Sequence, residues 1–292
     1  MNIKNIILSL IIFLTCSSCY RSARPNAHND THDVQYPRET INSVKNESPK
    51  TAKTNIDIVT QLEYPKLNAI QPQQIIEHFA YTVSYNPAWK IPNWVAYSLT
   101  KEETSGPYER EKSFYPDPKV KGQPVVTYDY THSGYDRGHM APAADMKWSE
   151  QAMRESFYMT NICPQNQNLN RGDWNDLEEL ARDWANTYGE IYIACGPLVS
   201  QDYRTIGQDK KIAIPKAFFK VFLRQTDTSW TAIGFVMPNQ AGNRPLLTYI
   251  LSIDEVEQLS GIDFFYNLPD SMEDDVEKEF SIRDWNINVR RK

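Results

Sequence analysis

The sequence has few cysteines, and their positions exclude a disulfide framework. Only four cysteines occur among 292 residues, and Cys16 and Cys19 lie in an apolar leader. Cys163 and Cys195 remain in the body of the chain, which is too few for a cysteine-based zinc site. A single bridge between these two is allowed in an oxidising compartment but not demanded, and two buried free thiols are the alternative.

The chain also lacks a glycine-rich phosphate loop, internal repeats and an excess of basic residues. The missing loop argues against nucleotide-triphosphate chemistry. A formal net charge of −6 at first argues against a nucleic-acid partner, because phosphate binding usually leaves a basic footprint. Residues 251–280, however, contain ten acidic residues and one lysine, a net charge of −9, which leaves +3 for the remainder of the chain.

The first residues are typical of a bacterial export signal. Lys4 precedes a mainly apolar run from Ile6 to Leu14, which is too short to span a bilayer as a helix. Ser17 and Ser18 directly before Cys19 resemble a lipoprotein processing site, which would make Cys19 the lipidated first residue; simple cleavage and secretion is the alternative. We therefore expect an exported protein, periplasmic or at the cell surface, that meets the membrane only through this lipid anchor.

Composition divides the chain into a signal peptide at 1–19, a disordered tether at 20–59 and one domain at 60–287. Runs rich in aromatic and β-branched residues predict strands at 79–85, 94–99, 158–162, 191–195, 212–214, 218–223 and 231–236. Apolar spacing and capping residues predict helices at 149–157, 174–188 and 252–260. The predicted class is α+β, with a mostly antiparallel central sheet flanked by helices.

Two clusters of polar residues contain the groups that hydrolysis of a phosphodiester needs. The first is the D-R-G-H sequence at 136–139, in which Arg137 and His139 share one side if the backbone is extended. The second begins at Asn161 and passes through a loop of amides to Glu178. Because imidazole titrates near neutral pH, His139 is suited to accept a proton from water. The amide oxygen of Asn170 is a hard donor of the kind that Mg²⁺ binds.

The chain resembles the DNA/RNA non-specific endonucleases of the ββα-metal, endonuclease G-like type. The family signature D-R-G-H matches residues 136–139 without a gap, and N-x-x-P-Q-x-x-x-L-N-x-x-x-W-x-x-L-E matches residues 161–178. The likeness extends from about residue 79 to about residue 279. It implies the ββα-metal fold and cleavage of DNA and RNA with Mg²⁺, or with Mn²⁺ in its place. Together with the export signal, it predicts an exported bacterial member of the family. A homodimer is compatible with the sequence.

The resemblance and the chemistry together assign roles to four residues. His139 is expected to be the general base and Asn170 the direct Mg²⁺ ligand. Arg137 is expected to neutralise charge on the phosphoryl group with its planar fork of donors. The family places a second arginine upstream, for which Arg110 is the candidate, although the acidic residues on both sides of it weaken this assignment.

The remaining site residues are expected to support the metal and its loop. If one helix continues from Asn170, Glu178 is offset by about 80° around the axis and could hold the metal's water shell, an exposed solvated glutamate being the alternative. Asn161 and Gln165 would orient the metal loop, contact phosphate or cap local backbone. Asp136 should be a structural partner for nearby donors, since its carboxylate points opposite to Arg137 in an extended segment. Trp174 is expected to be a core residue.

Two other functions are compatible with these residues. One is a metal-dependent phosphodiesterase that acts on small substrates in a closed pocket with the same histidine and metal. The other is a non-catalytic surface lipoprotein that keeps the fold as a binding module. The nuclease is preferred because every proposed contact goes to phosphate, metal or water, which each nucleotide of either polymer presents regardless of its base.

Overall fold

The computed structural model of the chain describes residues 60–68, 71–207, 209 and 211–287. The predicted signal peptide, Cys19 and the predicted tether at 20–59 lie outside the described residues. Within the described part of the chain, no helix combines the length and the apolar character needed to cross a membrane.

The central element is a seven-stranded antiparallel sheet, whose strand order is β12-β11-β10-β7-β4-β3-β2. The strands of the described residues are β1 (Lys66–Leu67), β2 (Gln74–Glu77), β3 (Thr82–Asn86), β4 (Ile91–Thr100), β5 (Asp136–His139), β6 (Ile162–Gln165), β7 (Glu190–Leu198), β8 (Thr205–Ile206), β9 (Ile212–Ala213), β10 (Ala217–Gln225), β11 (Trp230–Pro238), β12 (Ile250–Leu251) and β13 (Ile262–Asp263). Three antiparallel pairs lie outside this sheet: β1 with β13, β5 with β6, and β8 with β9.

Three of the five helices in the described residues begin after a residue whose side chain accepts from free backbone amides. The five helices are α1 (Glu150–Ser156), α2 (Gln167–Arg171), α3 (Asp173–Tyr188), α4 (Ile253–Ser260) and α5 (Asp270–Lys278). Ser149 caps α1 by accepting from the amide of Ala152, and Ser252 forms a reciprocal capping box with Glu255 at α4. Such caps stabilise a helix end by about 1 kcal/mol each.

The two faces of the sheet are covered by different helices. Side chains alternate between the two faces along β10. Phe222 contacts Trp184 of α3, with ring centroids 5.1 Å apart. Phe219, on the other face, contacts Phe264 at 5.4 Å, and apolar residues of α4 and α5 join the same cluster. The chain therefore forms a three-layer domain with α3 on one face of the sheet and α4 and α5 on the other.

The predicted α+β class with a mostly antiparallel sheet is confirmed, and most predicted elements are found within a few residues of their expected bounds. The strand predicted at 158–162 is wrong, because 159–161 form a 3-10 turn and β6 starts only at Ile162. The loop of amides contains α2. Asn166 caps that helix by accepting from the amides of Asn168 and Leu169. Asparagine is common both in loops and at the start of helices, and here it starts a helix.

Cys163 on β6 and Cys195 on β7 are both buried free thiols. The thiol of Cys195 donates to the carbonyl of Met140 at 3.2 Å, and burial raises the pKa of this thiol to about 12. The bridge that the sequence allowed is therefore not formed. Both cysteines behave as small core side chains.

Candidate active site

His139 ends strand β5 and its ring lies in an aromatic pocket. The strand pairs with β6, with His139 opposite Ile162. The imidazole contacts Phe114 and Phe157, with ring centroids 5.4 and 4.8 Å away. The residue is 6% exposed, and its Nε2 atom is buried without a hydrogen-bond partner. A buried polar atom left unpaired in a folded protein is uncommon and points to a functional requirement.

Burial and a neighbouring arginine keep His139 neutral. Burial lowers the pKa of the imidazole to about 3, and the positive charge of Arg110 adds to this effect. The Arg110 guanidinium lies over the Phe157 ring at 5.1 Å from the centroid, and its side chain is exposed. At pH 7 the imidazole is therefore unprotonated and able to accept a proton.

Arg137 is held more tightly than Arg110. Its guanidinium donates to the carbonyl of Thr127 at 2.8 Å and lies over the rings of Phe114 and Tyr130 at 5.6 and 5.7 Å. Arg137 and His139 thus contact the same phenylalanine ring from one side of β5. Arg110 is the exposed arginine and the one whose charge acts on the histidine, so the roles of both arginines stay predictions.

Asn170 lies near the end of α2 and is oriented by Asp136. Its amide nitrogen donates to the Asp136 carboxylate at 3.1 Å, and Arg171 forms two hydrogen bonds to the same carboxylate at 2.9 and 3.0 Å. Since the nitrogen is engaged, the amide oxygen of Asn170 is directed away from Asp136. A hard oxygen presented in this way fits Mg²⁺, which binds few protein groups and keeps most of its waters.

No hydrogen bond or ring contact joins His139 to Asn170 within the residues that the structure describes. The link between them is strand β5, since Asn170 is bound to Asp136 and His139 follows three residues later. Three residues of an extended strand span about 10 Å. The proposed base and the proposed metal ligand are therefore fixed to one short strand, with the Trp174 indole bonded to its last carbonyl at 3.3 Å.

The helix predicted at 174–188 is found as α3, but Asn170 lies in the separate helix α2, so the angular offset from Asn170 to Glu178 does not apply. Gly172 lies between the two helices with φ −116° and ψ −111°, so α2 ends and α3 starts at Asp173. The break is fixed by the Asp173 carboxylate, which accepts from the amide of Asn243 at 2.9 Å and the hydroxyl of Tyr249 at 2.6 Å. Angular offsets counted across this break therefore have no meaning.

Asn161 and Gln165 are both buried, each 0% exposed. The Asn161 amide donates to the carbonyls of Ala141 and Ser156 and accepts from the amide of Ala141, so it caps local backbone. Both amide atoms of Gln165 are buried without a hydrogen-bond partner. Gln165 packs against Gly138, where an added Cβ would lie 2.1 Å from the Gln165 Oε1 atom, which explains why position 138 requires glycine.

Glu178 is a partly buried acid rather than a solvated one. Its side chain is 12% exposed and its carboxylate lies 4.0 Å from the Lys220 ammonium group. Burial raises the pKa of Glu178 to about 7, while the positive charges of Lys220, Arg182 and Arg110 oppose that rise. The charge of Arg110 therefore acts on both Glu178 and His139.

Three charged residues at the site were not predicted from the sequence. Asp145 accepts from Arg182 at 2.8 Å and from the Tyr97 hydroxyl at 2.9 Å, and Lys220 is buried beside Glu178. The sequence does contain a signal for Lys220, because it lies inside the apolar β10 sequence AFFKVFLRQ. Lysine is almost never fully buried without a partner, so a lysine in a buried strand indicates a nearby acid. Around Glu178, three cations face two carboxylates, which gives this region a net positive charge in an acidic chain.

The scaffold and the side chains it carries define a class of protein. An antiparallel hairpin bearing a histidine, followed by helices bearing an amide and a carboxylate, is the arrangement of ββα-metal nucleases. The chain belongs to the DNA/RNA non-specific endonuclease family, whose model matches residues 58–271. This is a family of metal-dependent nucleases, which are hydrolases.

Individual relatives agree with this assignment. The mitochondrial nuclease EXOG of Xenopus laevis is 36% identical over 219 residues, or 69% of this chain and 60% of that protein. The mitochondrial endonuclease G of Bos taurus is 32% identical over 210 residues, or 67% of this chain and 70% of that protein. A crystal structure of the EndoG/EndoGI complex aligns with a TM-score of 0.63 at 30% identity, covering 68% of this chain and 89% of that chain. The chain spans 56–60% of the length of the EXOG relatives it matches.

The low pKa of His139 predicts a stability loss in acid. The unfolded chain binds a proton at this residue below about pH 6.5, whereas the folded chain does not until about pH 3. His139 therefore leaves the free energy of unfolding unchanged above pH 6.5. As the pH decreases below 6.5, it lowers the free energy of unfolding, by about 3 kcal/mol at pH 4. Urea unfolding should be measured at pH 7 and pH 4. Between these pH values, the free energy of unfolding should fall by about 3 kcal/mol less in His139→Gln than in the wild type. The exposed His132 is the matched control, and an equal loss in His139→Gln and wild type would contradict the prediction.

Proposed function

We propose that this chain is a Mg²⁺-dependent endonuclease that hydrolyses DNA and RNA without sequence preference, with His139 as general base and Asn170 as metal ligand. The observation that carries the proposal is the neutral, buried imidazole of His139 beside the exposed guanidinium of Arg110. A base that is unprotonated at pH 7 and lies next to a phosphate-binding cation is what in-line attack by water on a phosphodiester requires.

His139 accepts the proton of the attacking water, which makes that water a better nucleophile. Arg110 pairs with the non-bridging oxygens of the phosphate, where negative charge increases during attack. Arg137 keeps the Phe114 side of the histidine pocket in place through its bond to the Thr127 carbonyl. Asp136 orients the amide of Asn170. Together these residues align base, phosphate and metal ligand without touching a nucleobase, which accounts for the absence of sequence preference.

Asn170 would hold Mg²⁺ through its amide oxygen, and Glu178 would accept hydrogen bonds from the waters around the ion. When bound, Mg²⁺ supplies a Lewis acid that stabilises charge on the departing oxygen. The carboxylate of Glu178 has the raised pKa of a group whose burial disfavours its charge. A nearby cation would favour the ionised form, so the environment of Glu178 supports a role beside a metal.

We expect His139→Ala to lower the kcat for nicking of supercoiled plasmid and of structured RNA by about 10²-fold to 10⁴-fold, because the general base is lost. The measurement is conversion of plasmid with time in Mg²⁺, with EDTA as a metal-free comparison. Asn170→Ala tests the proposed metal ligand, and this variant should need a higher Mg²⁺ concentration to reach the same rate. If the wild type fails to nick either polymer in Mg²⁺ but hydrolyses a small phosphodiester, the protein is instead a metal-dependent phosphodiesterase that acts on small substrates.

The two arginines should respond differently to truncation. Arg110→Ala should lower kcat/KM by about 10²-fold or more with an unchanged Tm, because Arg110 is exposed and contacts phosphate. Arg137→Ala should also lower the Tm by several degrees, because its guanidinium packs on two rings and bonds a backbone carbonyl.

Arg154, an exposed arginine stacked on Tyr115, is the control and should retain both activity and Tm. A larger activity loss from Arg137→Ala than from Arg110→Ala, at equal stability, would reverse the two assignments. Kinetics on plasmid and thermal unfolding measured on the same preparations separate the two effects.

We also propose that Cys19 carries a lipid and anchors the domain to a bacterial membrane through residues 20–59. The support is the order of an apolar run, Ser17, Ser18 and Cys19 in the sequence; the relatives named above are mitochondrial nucleases. Cys19→Ala should move the protein from the membrane fraction to the soluble fraction of a bacterial host, because the acyl chains supply the membrane affinity. Cys16→Ala should stay with the membrane. Finding the wild type in the soluble fraction would end this proposal.

A further inference from the structure

Five carboxylates gather on the face of the central sheet opposite His139. They come from α4 (Asp254, Glu257), β13 (Asp263) and α5 (Glu273, Glu277). One carboxylate oxygen from each of Asp254, Glu257 and Glu277 lies within 4.8 Å of the other two, and the same holds for Asp263, Glu273 and Glu277. Glu277 belongs to both groups, so it lies at the centre of the acidic cluster formed by these five residues.

Glu277 is buried without a donor for one of its oxygens. The residue is 9% exposed, and its Oε1 atom has no hydrogen-bond partner. Within the same cluster, Glu257 accepts from the Phe264 amide at 2.7 Å, so the protein supplies a donor to one acid but not to the central one. Burial of a carboxylate oxygen without a partner is costly, and a bound cation would remove that cost.

Positive charge near the acidic cluster is sparse among the described residues. The Lys66 ammonium group lies 3.7 Å from Asp263 and is 62% exposed. Lys278 of α5 pairs with Asp274 instead, and Asp270 and Asp274 add further negative charge near Glu273.

The pKa values of Glu257 and Glu277 show the effect of this excess of negative charge. Burial and the neighbouring carboxylates raise the pKa of Glu257 to about 7 and that of Glu277 to about 9. One lysine therefore does not balance five acids.

We propose that the acidic cluster is a Ca²⁺ site centred on Glu277. Ca²⁺ takes six to eight oxygens at about 2.3–2.6 Å in irregular geometry, so two oxygens on one ion can be up to about 5 Å apart. The oxygens of both groups meet that limit. Mg²⁺ requires near-octahedral geometry at about 2.0–2.1 Å and binds through one or two carboxylates with its waters retained. Groups of three carboxylates, with Glu277 shared by both groups, therefore favour the larger ion.

A bound Ca²⁺ would connect α4, β13 and α5, which cover one face of the sheet. Because His139 and Asn170 belong to the other face, the ion acts on stability and takes no part in hydrolysis. The inference does not depend on the proposed function. It also gives a role to the acidic stretch at 251–280, which the nuclease chemistry does not use.

The test is thermal unfolding of the full chain in the Asn170→Ala background, which removes the proposed catalytic metal ligand. At pH 7.5, 2 mM CaCl₂ should raise the Tm by about 5 °C or more over EDTA, the shift expected when a ligand at about 100 times its Kd binds only the folded state. MgCl₂ at the same concentration should give less than half that shift. Calorimetric titration of the same protein with CaCl₂ should show binding directly.

Glu277→Gln keeps the shape of the side chain and removes its charge, so it should abolish the Ca²⁺ shift while raising the Tm in EDTA. Asp275→Asn is the matched control, because Asp275 is exposed on the same helix, lies outside both groups and changes the net charge equally. It should retain the full shift. An unchanged Ca²⁺ shift in Glu277→Gln, an equal response to Mg²⁺, or no calorimetric binding would each overturn the proposal.

Discussion

The buried ammonium group of Lys220 connects the central sheet to the layer that carries the site. It lies 3.4 Å from the Met140 carbonyl, 4.0 Å from the Glu178 carboxylate and 4.7 Å from the centre of the Trp174 ring. These acceptors belong to the segment after β5 and to α3, while Lys220 itself belongs to β10. Removing one partner from a buried charge costs on the order of 3–5 kcal/mol. Neither β5 nor α3 can therefore shift relative to the sheet without exposing an unpaired charge, and this holds His139 in register with Glu178.

The same sheet separates charge of opposite sign. On the α3 face, three cations and the Asp145 carboxylate lie around Glu178, and one of those cations, Arg110, also acts on His139. On the other face, five carboxylates gather with a single lysine nearby. A net charge of −6 thus describes neither face, and a polyanionic substrate meets the local field rather than the total charge. Because the strongly acidic group lies across the sheet from the site, its repulsion of phosphate is weakened by distance and by salt.

The sequence predicted the parts of the site that depend on local order. His139 and Asn170 lie in continuous motifs, and α3 and α4 follow from apolar spacing and capping. The position of Arg110 near His139 could not be predicted, because its neighbours in sequence are acidic, whereas its neighbour in space is an aromatic ring beside the histidine. Lys220 was missed because its partners are 40 or more residues away. The relative orientation of Asn170 and Glu178 could not be predicted, because tertiary contacts of Asp173, formed with residues 70 or more positions later, fix the break at Gly172.

The environment of His139 presents an apparent conflict for the proposed reaction, because an imidazole with a pKa of about 3 is a weak base. Burial is the larger cause of that low pKa, and the positive charge of Arg110, which repels an added proton, is the smaller one. Under the proposed function, a phosphodiester bound to Arg110 carries a compensating negative charge, which cancels that repulsion and adds attraction for a proton on the ring. In that complex the base strength of His139 is therefore higher than in the free protein, where the residue stays neutral over the physiological range.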